Sequence, residues 1–363
     1  MYGEAYAFIC KTALQNNYRE LKKRAGGARL ISVVKANAYG HGLAFVAKAL
    51  QSEGADFFAV ARLSEAVSLR RLCPKSDILI LGKTPPRFAP LLAKHNLIQS
   101  LSSPLYAKEL SSAAGAPIRA HLKLDCGMGR FGISVYSPDA IRSCLDAISR
   151  PNIGVEAIYS HLPSADLTES DESDAMRIAF RQFTARLLRL IRPVPTHLLA
   201  TAGLLRYGAE NENLIRPGLA LYGYPPCKAI LSEGFSPVLK LYAPIVAIRS
   251  LEKGDRIGYG GAYTAPRSMK IALLGIGYGD GLPRALTGAR LSFGKQSGEI
   301  VGRICMDLTF CKIANDSTLR VGDHLLLFGD RPETLADLSA HAGTIPYELL
   351  TSLSSRLYRR YVP

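Results

Sequence analysis

A (β/α)8 TIM-like barrel followed by a second, mainly β domain is the fold class this sequence predicts, and three observations predict it. Eight short apolar runs alternate with amphipathic stretches over about 200 residues, the pattern of parallel strands joined by crossover helices. The pattern changes near residue 233 to strands punctuated by glycine. A proline-rich stretch, Pro225-Pro226 through Ser236-Pro237, separates the two.

The eight runs, in order, are Leu30–Val34, Phe57–Ala61, Ile78–Leu81, Leu97–Leu101, Ile118–Leu124, Val155–Ser160, His197–Ala200 and Leu219–Tyr222. Leu43, Val46, Ala47 and Leu50 recur at helical spacing between the first two, and Ile178–Ile191 is another long helical pattern. A doubly wound open sheet fits the same periodicity. In the second region, Val238–Ile248, Lys270–Leu274, Glu299–Arg303 and His324–Phe328 read as strands, with short helices around Leu335–His341 and Tyr347–Leu353. The domain expectation is therefore a barrel over 11–232 and a β domain over 233–363.

The chain has 363 residues, 48% hydrophobic and 21% charged, enough for two domains with sizeable cores. Its net charge is +15. The basic residues are spread along the chain, with short runs only at Lys22-Lys23-Arg24 and Arg359-Arg360, so a solvated basic surface is expected rather than nucleic-acid binding. Such a surface also favours anionic ligands. Met1–Cys10 lacks the charged start and apolar run of a signal peptide, and no stretch is long and apolar enough to span a bilayer. The seven cysteines form no CxxC pair and the histidines show no metal-ligand spacing. The expectation is a cytoplasmic protein with free thiols, no membrane partner and no metal.

The most informative segment is Val33-Val34-Lys35-Ala36-Asn37-Ala38-Tyr39-Gly40-His41-Gly42. Lys35 stands where a barrel strand would end, on the face where barrel active sites are built. Desolvation there lowers an amine's pKa and frees it for carbonyl chemistry. Physics alone equally allows a lysine that snorkels from a strand end. Lys123-Leu-Asp125-Cys-Gly127-Met-Gly129-Arg130-Phe-Gly132 contains a formal G-x-G-x-x-G. It is no dinucleotide fingerprint, because Phe131–Tyr136 reads as extended and leads to Pro138 instead of opening a helix.

These segments resemble the alanine racemases, from about residue 11 to the end and in the same order. The resemblance implies a pyridoxal-5'-phosphate-dependent racemase, an isomerase that interconverts L- and D-alanine and supplies D-alanine for bacterial peptidoglycan. It implies that Lys35 carries the cofactor and that Tyr39 contacts its phosphate. Arg130 helps bind the substrate carboxylate, a task suited to a bidentate guanidinium. The lysine matching Lys123 is carbamylated in several family members, whereas a plain salt bridge to Asp125 or another acid is the alternative reading. His161, after Ile158-Tyr159-Ser160, matches a histidine that bridges the cofactor-side arginine and the catalytic tyrosine.

Ile215-Arg216-Pro217-Gly218-Leu219 is similar to the family's Arg-Pro-Gly segment. It implies that Arg216 faces the pyridine nitrogen, where a side chain that stays charged keeps the ring unprotonated. The amides of Gly218 and Leu219 would cradle phosphate. Ala200-Thr201 departs from the usual Asn-Ser pair: Thr201 keeps the hydroxyl for phosphate and Ala200 loses the amide. In the β region, Tyr259 of Arg256–Tyr263 matches the second catalytic base, Tyr278 lies near the substrate channel, the Met306 amide contacts the substrate carboxylate, and Tyr347 is a phosphate-side tyrosine at the entrance. A free tyrosine titrates near 10, so the base role asks for cationic surroundings, here Arg216 through His161.

The family pattern further implies a strand from residues 1–10 joining the β domain, and a homodimer in which Tyr259 reaches the lysine of the other subunit. A broader alanine/serine racemase is the alternative substrate reading, because a small pocket discriminates weakly against one added hydroxyl. A pyridoxal-phosphate-binding carrier protein would lack the β domain. A barrel decarboxylase would place an acid, not Arg216, at the pyridine nitrogen.

Overall fold

The structure, a computed structural model, describes residues 3–167, 171–224, 233–294 and 296–363. Pro225, Pro226 and Cys227 lie outside the described residues. The barrel closes with parallel pairing throughout. Arg29–Leu30 and Ser32–Val33 form the first strand, followed by Phe57–Val60, Asp77–Ile80, Ile98–Leu101, Ile118–Asp125, Ile153–Tyr159, Thr196–His197 and Leu214–Ile215. Leu214–Ile215 pairs back onto Arg29–Leu30, and a bridge between Ala200 and Arg216 seals the remaining seam. Four of these strands lie in the interior along their length or nearly so, because inside and outside faces are both covered, and that is why they read as unbroken apolar runs.

One strand differs from the sequence expectation. Leu219–Tyr222 is a 3-10 turn, not the eighth strand. Pro217 offers no N–H, although its carbonyl still accepts from Val33 at 3.0 Å, and Gly218 leaves the extended region (φ −123, ψ −86), so the pairing ends there. All four residues of the turn are buried, which gives it the composition of a core strand.

The β domain is built around the long strand Leu239–Leu251. Its first half pairs with Tyr6–Cys10 and His324–Phe328, its second half with Met269–Leu274, and a bulge between Ile245 and Ala247 separates the halves. The sheet continues through Thr309–Ile313, Gln296–Ile300 and Arg290–Phe293 on one side and Tyr358–Val362 on the other. Gln296–Ile300 lies about three residues before the expected Glu299–Arg303. These strands alternate buried and half-buried residues, as in Thr309–Ile313, because one face meets the core and the other does not. The main hydrophobic core runs without a break from the barrel into this sheet. No helix among the described residues is long and apolar enough to cross a membrane, and no cluster there could hold a metal ion.

Candidate active site

Lys35 follows the first barrel strand and opens an unusual turn. Ala36, Asn37, Ala38 and Tyr39 all adopt left-handed helical backbone, with φ between 52 and 55 degrees. For residues with a Cβ this conformation costs roughly 1–2 kcal/mol each. The surroundings hold it in place. Glu65 Oε1 accepts the Ala36 N–H at 2.6 Å, Asn37 Oδ1 accepts the Leu43 N–H at 2.8 Å, and Gly40 continues the positive φ. The turn directs Tyr39 inward, 4.8 Å from the ring of Tyr222 and 5.9 Å from that of Tyr347. A Cβ on Gly218 would sit 2.7 Å from the Tyr39 hydroxyl, so only glycine lets the Gly218 backbone approach this closely.

Lys35 is half-buried. Desolvation, and secondarily the charge of Arg130, hold its amine below the ordinary lysine range, while Glu65 opposes the shift. Arg130 lies exposed on the loop after Ile118–Asp125. That loop opens no helix: Ile133–Ser134 pairs in parallel with Leu124–Asp125, and a Cβ on Gly132 would meet the Leu124 carbonyl carbon at 2.6 Å. Asp125 is committed to the turn, accepting from the amides of Gly127 and Gly129. Lys123 therefore forms no ion pair with it. The Lys123 amine donates to the Leu124 carbonyl at 2.7 Å and lies 5.1 Å from the centre of the Tyr159 ring. Burial first, and then the Arg216 charge, push its pKa down to about 7.

Arg216 is the buried cation of the barrel. It donates to the carbonyls of Ser160, His197 and Leu198 at 2.7–3.0 Å, to His197 Nδ1 at 2.6 Å and, at 3.5 Å, to His161 Nδ1. Burial lowers its pKa to about 10, which still leaves a cation at neutral pH. A guanidinium cannot accept, so His197 Nδ1 is the acceptor and its Nε2 carries the hydrogen. That hydrogen faces His121 Nδ1 at 2.9 Å. Burial and Arg216 hold His161 and His197 well below the usual histidine range; burial and Arg119 push His121 to about 3. All three are neutral imidazoles at pH 7.

Thr201 is buried, and its hydroxyl oxygen accepts the N–H groups of Gly218 and Ala220 at 3.0 and 3.4 Å. Its own hydrogen remains for a further acceptor. Tyr347, near the start of the helix Pro346–Ser352, is half-buried, and burial pushes its phenol up to about 12. Lys35, Tyr39, Lys123, Arg130, His161, Thr201, Arg216, Gly218 and Leu219 thus share the end of the barrel where its strands terminate, with Tyr347 packed against it.

The β-domain residues stand apart. Tyr259, Tyr278 and Met306 are 71%, 45% and 52% exposed. The Tyr278 and Met306 segments pack together, with the Tyr278 N–H on the Cys305 carbonyl and the Gly279 N–H on the Met306 carbonyl. Arg356 holds Asp280 and Asp307 beside them. No hydrogen bond, ion pair or ring contact among the described residues joins Tyr259, Tyr278 or Met306 to the barrel group.

Sequence reasoning gave no role to His121, His197 or Glu65. A signal for His121 existed: it and Lys123 sit two apart in an apolar strand, so both point into the barrel. Glu65 carried none, since it acts on a backbone N–H distant in the chain.

The family model for the alanine racemase N-terminal domain matches residues 9–226, and that for the C-terminal domain matches 238–361. The chain is 34% identical to an alanine racemase of Limosilactobacillus fermentum, over 96% of this chain and 94% of that one. It is 34% identical to that of Haemophilus influenzae, covering 99% and 98%. Among solved structures, an alanine racemase from Clostridium difficile 630 superposes with a TM-score of 0.92 at 29% identity, covering 99% and 96%. One from Bacillus anthracis with bound L-Ala-P gives 0.91 at 28%, covering 100% and 96%.

Proposed function

The chain belongs to the alanine racemase family and is an isomerase that interconverts L-alanine and D-alanine, and from that premise we propose which residues do the work. The family uses pyridoxal 5'-phosphate, and the residues present fit that group. An amine weakened as a base by burial stands at Lys35, a buried guanidinium at Arg216, and an approach that only glycine permits lies between Gly218 and the Tyr39 phenol. Lys35 would hold the cofactor through its amine and Arg216 would face its ring nitrogen. Tyr39, Thr201, Tyr347 and the amides of Gly218 and Leu219 would hold its phosphate. When bound, the cofactor draws electrons from the substrate α-carbon and so lets its proton leave.

Racemisation needs a proton acceptor on one face of that carbon and a donor on the other. Lys35 Nζ serves one face and Tyr259 Oη the other. Arg216 remains a cation at neutral pH, so it does not hand a proton to the ring, and the electron sink stays weak. A weak sink favours prompt reprotonation at the same carbon over side reactions. His161 orients between Arg216 and the tyrosine. Arg130 and the Met306 amide bind the substrate carboxylate, and Tyr278 lines the approach. Because Tyr259, Tyr278 and Met306 lie away from the barrel group, a second copy of the chain supplies them, and the working unit is a homodimer. Arg216 argues against a decarboxylase, and the C-terminal domain against a carrier protein.

The observation that carries this reading is the placement of Lys35, at a strand end beside Arg130 with its ammonium disfavoured by burial. Borohydride reduction and peptide mapping should leave the pyridoxyl label on Lys35, and a label on Lys123 or another lysine overturns it. Following L-alanine and L-serine to their mirror forms on the same protein separates an alanine racemase from an alanine/serine racemase.

A further inference from the structure

The left-handed turn that begins at Lys35 is held from outside the barrel as well as from within. Its last residue, Gly40, donates to the Ala36 carbonyl, while the Gly40 carbonyl points away and accepts the Arg359 Nε–H at 2.6 Å. Arg359 belongs to the strand Tyr358–Val362, at the edge of the β-domain sheet. The rest of its guanidinium is spent on the same region of chain: Nη1 donates to the carbonyls of Ser354 and Leu357, and Nη2 to that of Leu353, all at 3.1 Å. Leu353 directly follows the helix Pro346–Ser352, which carries Tyr347.

Two further contacts close the same junction. A Cβ on Gly40 would lie 2.3 Å from the Leu350 carbonyl oxygen, so that helix abuts the turn directly. A Cβ on Gly42 would lie 2.1 Å from the Tyr361 hydroxyl, and Tyr361 stacks on Phe45 at 4.4 Å. One planar fork therefore spans two pieces of backbone, the turn bearing Lys35 and Tyr39 and the segment following the helix that bears Tyr347. Only a guanidinium, with five donors in a fixed plane, can do this from a single side chain.

We propose that Arg359 is a positioning residue for the cofactor: by bridging the Gly40 and Leu353 carbonyls it sets the spacing between Tyr39 and Tyr347, and so the width of the cleft that takes the phosphate. The proposal rests on the cofactor site described above. Four consecutive non-glycine residues in left-handed backbone form a turn that relaxes when its supports are removed. Of its long-range polar supports, Glu65 comes from within the barrel and Arg359 from the β domain. The cost of losing Arg359 therefore falls on how tightly the phosphate is held, since the residues assigned to bind alanine itself lie elsewhere.

The test compares full-length parent, R359M, R359K and R360M chains, stripped of cofactor and titrated with pyridoxal phosphate by visible absorbance. Thermal midpoints and racemisation kinetics at saturating cofactor are measured alongside. Arg360 is exposed on the same strand and serves as the control. In R359M the cofactor dissociation constant should rise on the order of tenfold, the loss expected for a charged donor withdrawn from a buried carbonyl. R359K keeps the charge but places all its donors on one nitrogen, which cannot span both carbonyls, so it should recover part of the loss. KM for alanine should stay near the parent value, and R360M should match the parent. Should R359M not fold, R359K against R360M carries the same comparison. A chain altered at Arg359 that melts at lower temperature yet binds the cofactor as tightly as R360M overturns the proposal. A parent chain that takes up no pyridoxal phosphate overturns the reading of the site itself.

Discussion

The two halves of the candidate site are built to different standards. In the barrel, Arg216 is 4% exposed and its donors are matched to three carbonyls and an imidazole. In the β domain, Tyr259 is 71% exposed, on a short glycine-rich turn with no hydrogen bond to the barrel group among the described residues. Parallel strands covered on both faces bring polar groups at their ends together within one chain, where burial alters their chemistry. A short turn between two antiparallel strands presents its side chain outward to solvent. On the reading proposed above, the barrel half would hold the cofactor and the β half would complete the site of a second copy.

The sharpest way to break this comparison is to inactivate each half in a separate chain. Lys35→Ala and Tyr259→Phe should each lower racemisation by about 10²–10⁴, the range for loss of a general acid–base group. Mixing the two inactive chains should restore activity, because one of the two sites in a mixed dimer holds both residues intact. Subunit exchange is checked by mixed-mass species. Exchange with no recovered activity means that the two residues serve the same chain, and the division between halves fails.

Next in expected size is Arg216→Glu. A carboxylate at the ring nitrogen favours a protonated ring and a stronger electron sink. Racemisation should slow by about a hundredfold while pyruvate released per turnover rises, because Arg216 would no longer hold the ring nitrogen unprotonated. The variant also leaves the carbonyls of Ser160 and Leu198 without their donor, so some rate loss occurs on any account. The partition between D-alanine and pyruvate is therefore the deciding readout. A partition equal to the parent's removes Arg216 from the ring nitrogen.

The barrel was legible in the sequence because strands buried on both faces give apolar runs, and seven of eight expected runs coincide with strands to within a few residues. Leu219–Tyr222 misled for the same reason, since a buried 3-10 turn has the composition of a buried strand. The β domain was less legible. Arg290–Phe293 and Tyr358–Val362 carry charged or exposed residues at the sheet edges, and Thr309–Ile313 includes a lysine, so apolar runs miss them. In the candidate site, the residues that the sequence could nominate are those carried by contiguous motifs, from Lys35–Tyr39 to Arg216–Leu219. Glu65 and Arg359 were not. Each grips a backbone group of the Lys35 turn across a long stretch of chain, and such contacts leave no local pattern.

A smaller effect should follow from Thr201. Thr201→Val removes the acceptor for the Gly218 and Ala220 amides and the hydrogen available to a phosphate oxygen. Cofactor affinity should fall by about tenfold, as for one buried hydrogen-bond group. Thr201→Ser should keep it. A valine chain that binds the cofactor as the parent does would show that phosphate is held without this hydroxyl.

The smallest effect concerns stability alone and reads the electrostatics of the barrel half directly. Lys123 has an ordinary value of 10.5 in the unfolded chain and about 7 when folded, with burial the larger cause and Arg216 the next. Between these values the unfolded chain holds the proton and the folded chain does not. Stability contributed by this group therefore rises with pH across that window. Below pH 7 the folded barrel must keep a charged ammonium beside Arg216, and the cost is present in full. Lys123→Met removes that cost without removing the volume. In carbonate-free buffer its melting advantage over the parent should be greatest near pH 6, a matter of about a few degrees, and should shrink steadily toward pH 9. Bicarbonate at pH 8 tests the carbamate reading on the same pair of chains. A neutral amine can bond to carbon dioxide and release its proton, so the parent alone should gain stability and show a labelled carbonyl by carbon NMR. A melting difference that does not change between pH 6 and 9 would mean that Lys123 finds, in the folded barrel, an acidic partner that offsets its burial.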